Sequence, residues 1–118
     1  MTTNVDYHDY EIFHIEYCEP VKRLSLGLIS CEGRKVLLRF GSVFEWNLTP
    51  FQIQNVIYEL KEFSANNVPS WILEGWEMPP PTAGLKLYFI DASVGLGGCI
   101  VAKTMTVGSY ERDESLLG

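Results

Sequence analysis

Apolar residues recur at every second position over much of the chain, the signature of strands that bury one face. In residues 10–18, YEIFHIEYC, the residues Phe13, Ile15 and Tyr17 share one side, and Ile12, His14, Glu16 and Cys18 the other. Pro20 follows and ends the ladder, because proline has no amide hydrogen to donate. Residues 23–31 set Leu24, Leu26 and Leu28 on one face; residues 34–40 resume the alternation with Val36, Leu38 and Phe40. Two such runs around Glu32-Gly33 predict a β-hairpin. Residues 43–48, VFEWNL, continue as a short strand. Residues 85–91, LKLYFID, and 99–107, CIVAKTMTV, flank the turn ASVGLGG and predict a second hairpin.

The alternation is interrupted at residue 49. Thr49 in the N-cap position, Pro50 at the first helical position and Gln52 three residues after the cap make a good helix start. Ile53, Val56, Ile57 and Leu60 then follow at helical spacing. The segment NVIYELKEF also alternates as a strand. The spacing predicts a helix over 50–55 and leaves 56–63 open between helix and strand. Residues 64–84 form a long loop, with turn composition at Ser64–Asn67 and a stiff Pro79-Pro80-Pro81 run. Trp71, Ile72 and Trp76 lie within it, either locking the loop onto the sheet or presenting an aromatic contact surface.

These elements make an α+β fold that is mainly antiparallel sheet, with five to seven strands, one short helix near 50–60 and a long Trp/Pro-rich loop. Its expected core is Phe13, Ile15, Tyr17, Leu24, Leu26, Leu28, Val36, Leu38, Phe40, Val56, Leu60, Leu87, Phe89, Val101 and Met105, each strand's face being free to invert as a unit. The 118 residues, with no linker, repeat or low-complexity run, read as a single domain over 1–118. A composition of 47% hydrophobic and 20% charged residues excludes a disordered chain. No apolar stretch approaches the ~20 residues of a membrane span, and no secretory signal is read at the N-terminus.

Charge narrows the partners. The net charge of −6 is unevenly spread. Residues 1–21 hold five acids and no Lys or Arg, whereas residues 22–39 hold five bases against Glu32. An acidic protein is repelled by phosphate backbones, so no nucleic acid partner is expected, and the basic block reads as solvated strand faces. Cys18, Cys31 and Cys99 are odd in number and far apart, with no C-x-x-C pair, so they read as free thiols suited to a reducing cytoplasm, and no metal or other cofactor is expected. Gly95-Leu96-Gly97-Gly98 precedes a strand, not a helix, and so reads as a turn and not a phosphate loop. His8 and His14 have no nucleophile or carboxylate pair at a spacing that favours catalysis, and no catalytic residue is nominated.

Two segments suit protein recognition. Tyr7 and Tyr10 are interleaved with Asp6, Asp9 and Glu11, joining aromatic area to carboxylates that complement a basic partner. Trp71, Glu74, Trp76 and Glu77 repeat the combination in the loop. The order of elements, with LLRF-GSVFEWNL, then Phe51-Gln52-Ile53-Gln54-Asn55-Val56-Ile57, then IDASVGLGG, resembles small bacterial immunity proteins of polymorphic-toxin and contact-dependent-inhibition systems over roughly 34–63 and 88–107. The resemblance implies a cytoplasmic, non-catalytic binder of a cognate toxin, and it favours strand over helix for 56–63. It transfers no binding residues. Three classes therefore stand: inhibitor or immunity protein, another interaction module of a bacterial or phage complex, and a small enzyme or ligand-binding domain.

Overall fold

The computed structural model describes residues 7–49, 51–64, 67–73 and 84–109. Eight strands form one antiparallel sheet: β1 (Glu11–Cys18), β2 (Arg23–Ile29), β3 (Lys35–Gly41), β4 (Glu45–Thr49), β5 (Val56–Ser64), β6 (Lys86–Val94), β7 (Gly97–Ala102) and β8 (Thr104–Ser109). A 3₁₀ turn, Glu19–Val21, and a four-residue helix α1, Ser70–Leu73, are the helical elements among the described residues. The fold is mainly antiparallel sheet, as the alternation predicts, with eight strands where five to seven were expected.

The strand order is β4-β7-β6-β5-β1-β2-β3-β8. The two halves of that order are joined by a single register pair, Glu11↔Val56. The sheet is not closed by a ladder between its end strands β4 and β8. It nevertheless doubles over. The Phe40 ring on β3 lies 5.1 Å from that of Tyr88 on β6, and Tyr17 on β1 lies 4.7 Å from Trp46 on β4. In a flat sheet β3 and β6 would stand about 19 Å apart at ~4.8 Å per strand. The chain itself makes the fold-over: β3 passes into β4 through Ser42–Phe44, and β7 into β8 through Lys103. Phe44 N–H donates to the Val101 carbonyl and Lys103 N–H to that of Gly41, so the two crossing segments stay bonded through the bend.

Between the halves lies the main core, which includes Ile12, Leu24, Leu26, Leu28, Leu38, Phe40, Ile57, Tyr88, Ile90 and Ile100. A second cluster, with Ile72, Leu85, Leu87, Cys99 and Val101, packs on the opposite face of β6 and β7 beneath α1. These two strands are thus buried on both faces.

Several expectations are corrected. The chain over 51–55 is a turn and not a helix, and β5 over Val56–Ser64 decides the open segment 56–63 for strand. The short helix lies instead at Ser70–Leu73. Phe13 is exposed and Ile12 takes its place, because the register slips between Ile12 and His14. Such a bulge turns the strand over, so Ile12 faces inward before it and Ile15 and Tyr17 after it. Irregularities at Val56/Ile57 and Ile57/Glu59 likewise seat Ile57 in the core in place of Val56. Leu87 and Val101 are buried, but in the second cluster.

Candidate functional site

At one end of the doubled sheet the N-terminal segment meets the turn before β5. Asp9 N–H donates to the Ile57 carbonyl, Ile57 N–H to that of Tyr10, and Ile12 N–H to that of Asn55. This short ladder brings Asp9 and Glu11 beside residues 51–58. His8 stands edge-on to Tyr58 at 5.2 Å and its Nδ1 lies 3.3 Å from an Asp9 carboxylate oxygen. Tyr58, at the irregular start of β5, is half-exposed.

The turn itself is built around Asn55, the buried polar residue of the described structure. Its Oδ1 accepts from Gln52 N–H at 2.8 Å and from Leu96 N–H at 2.9 Å, and its Nδ2 donates to the Gln52 carbonyl at 2.7 Å. One amide side chain thus fixes the 51–55 turn and ties it to the β6–β7 turn. Gly95 is required there: its φ is +77°, and an added Cβ would collide with Asn55 and the Gln54 carbonyl. On this fixed turn Phe51 is half-exposed and Ile53 wholly exposed, with half-exposed Val94 two strands' width from β1, opposite Val56.

Carboxylates follow on the two strands that lead away from the apolar tip. Glu59 on β5 stands directly opposite Asp91 on β6, a like-charge cross-strand pair that costs stability where nothing answers it. Lys61 lies 3.7 Å from Glu59, but both side chains are substantially exposed and the pair contributes little. On the far side of β1 the charge changes sign. Lys35, the first residue of β3, lies over the Phe13 ring at 5.5 Å, and Arg34 precedes it in the hairpin turn.

The residues nominated from sequence divide accordingly. Asp9 is exposed, and Tyr10 and Glu11 are partly so. Tyr7 is corrected from surface to core: it is 3% exposed, stacks edge-on with Tyr10 at 5.6 Å, and its hydroxyl finds no hydrogen-bond partner among the described residues. Burial, then the nearby Tyr10, pushes its phenol pKa up, against a smaller opposing effect of Arg34. Trp71 is exposed and packs edge-on against Phe89 at 5.4 Å, with Lys61, which pairs with Glu59, 5.8 Å above its ring. Asp6, Glu74, Trp76 and Glu77 lie outside the described residues. Sequence reasoning missed Phe51, Ile53, Tyr58 and Val94. Ile53 reads from sequence as part of a helical stripe, and Phe51 as part of the helix start before it.

A second feature is an open groove of about 380 Å³ at the strand crossing, walled by Val21, Val43, Phe44 and Leu85 and edged by Lys22 and Lys103. Neither His14 nor any cysteine lines it. No helix among the described residues is long and apolar enough to cross a membrane. Comparison with protein-family models, curated proteins and solved structures finds no match to this chain.

Proposed function

We propose that the protein is a non-catalytic inhibitor that binds a basic protein partner, of the kind an immunity protein makes with its cognate bacterial toxin in the cytoplasm. The contact surface in this reading is the end formed by Asp9, Glu11, Ile53, Tyr58, Glu59 and Asp91. The observation that carries it is the Glu59–Asp91 pair on the strands that lead from the apolar tip. Two carboxylates set opposite one another are unfavourable in the free protein and become favourable when a cationic group lies between them. Ile53 adds an aliphatic side chain with no packing of its own, on a turn already fixed by Asn55, so little conformational freedom is lost on binding.

A pull-down from the native host with mass-spectrometric identification supplies the partner. Association kinetics with that partner then test the surface. The on-rate should fall as salt shortens the screening length to ~8 Å, and charge reversal of Asp9 and Glu59 together should lower it at unchanged melting temperature. An on-rate indifferent to both salt and reversal refutes the acidic surface. Ile53→Ser should raise the off-rate. A captured small molecule with no protein partner refutes the inhibitor reading itself.

A further inference from the structure

An exposed strand edge offers a row of unpaired amide and carbonyl groups, and proteins blunt such edges with charges, proline, bulges or brevity. Four edges are present among the described residues, and three are blunted. The edge of β4 is short at five residues, begins at Glu45 and is followed in sequence by Pro50. Beyond Ile12, β1 is broken by its bulge and carries Glu16. Beyond Ile57, β5 follows two register irregularities and carries Glu59, Lys61 and Glu62.

The fourth edge is β8, where charge, proline and bulge are all absent. Its sequence, TMTVGS, has no charge and no proline. Its six pairs with β3, Gly41↔Thr104 to Val36↔Ser109, run without a register shift. Val107 occupies the same side of the strand as Met105, which packs on the main core, yet it is half-exposed.

We infer that β8 pairs antiparallel with β8 of a second copy of this chain, extending the sheet across a two-fold axis. A dyad normal to the sheet keeps the core-facing side of one copy continuous with that of the other, so it pairs residues of like parity. Centred on Thr106, it sets Thr106 against its own equivalent, Met105 against Val107 twice, and Thr104 against Gly108. That register covers the exposed Val107 with Met105 of the second copy and adds a favourable Thr–Thr pair. Charge permits this pairing, because TMTVGS carries no ionisable side chain and self-pairing opposes no like charges along the strand. One six-residue ladder is a small interface, so the dimer is weak and concentration-dependent. It leaves the acidic end at β5 and β6 free.

Sedimentation equilibrium of the full chain across the micromolar to millimolar range reads this directly. The weight-average mass should climb from 13.4 kDa towards twice that value. Thr106→Glu is the diagnostic variant. Within one chain the new carboxylate faces Arg39 on β3, its register partner, so the fold is retained at unchanged melting temperature. Across the dyad two carboxylates face each other, and self-association should weaken by about tenfold. Thr106→Cys in a Cys31→Ser background, chosen because Cys31 is exposed, should cross-link to itself on mild oxidation, whereas Cys31→Ser alone should not. A mass that stays at 13.4 kDa at every concentration overturns the proposal. So does a dimer that Thr106→Glu leaves intact, or one in which the cysteine variant fails to cross-link.

Discussion

β2 and β7 are both deeply buried strands, but they are buried differently. In β2 the large side chains Leu24, Leu26 and Leu28 all enter the main core, and Ser25 faces the other way. In β7, Ile100 and Ala102 enter the main core while Cys99 and Val101 enter the second cluster. The first strand needs only its neighbours across the doubled sheet. The second also needs a cover, supplied by Ile72 of α1 and by Leu85. A strand with one dry face records its orientation in alternation, whereas a strand with two dry faces records only that it is central.

The sharpest test of the contrast is Phe40→Ala. Phe40 is fully buried against Tyr88 and bridges the two halves, so about 3–5 kcal/mol of stability should be lost, seen as a lower urea midpoint. Asn55→Ala should cost about 2–3 kcal/mol, because Leu96 N–H and Gln52 N–H lose their acceptor, and Leu96 is buried. Ile72→Ala should cost about 2 kcal/mol and act mainly on the cover. Labelling of Cys99 by a thiol reagent should accelerate more in this variant than in one of equal stability altered in the main core.

Alkaline titration probes both faces of the same two strands. Burial, and secondarily Glu62, pushes the Tyr88 phenol to about 12, while burial alone pushes the Cys99 thiol to about 11. Both groups hold their protons more tightly when folded. Their contribution to stability is complete below pH 9 and is lost as pH rises through 11 and 12. Urea midpoints should therefore fall across that window, and ultraviolet absorbance should show a tyrosine that ionises only near pH 12. The smallest effect is a gain: Tyr7→Phe removes a buried, unpartnered hydroxyl and should raise stability by about 1 kcal/mol or less.

The β2–β3 hairpin was legible because its apolar positions alternate without a slip and Gly33, at φ +88°, closes its turn. The inward face of β1 was not, because a bulge leaves no mark in a pattern of hydrophobicity. The helix expected at 50–55 failed for a different reason. Its cap signals are local, whereas Asn55 is held by Leu96, 41 residues away. That tertiary bond, and the ladder to β1, outweigh a propensity worth a few tenths of a kcal/mol per residue. Of the candidate site, Asp9 and Glu11 were legible as charge. Ile53 and Tyr58 became visible only when the turn and the irregular start of β5 were known.

The strand crossing carries a consequence for how the chain reaches its native state. Phe40 pairs with Met105, and Glu45 with Val101, so β3 and β4 complete their ladders only with segments more than fifty residues further along. On a ribosome, β1, β2 and β3 emerge as a meander whose β3 edge stays bare until β8 follows. Such distant pairing slows folding and exposes intermediates to aggregation. Rapid local formation of the N-terminal meander, followed by slow capture of β7 and β8, is the expected kinetic order, and the interval between them is when the chain is most vulnerable.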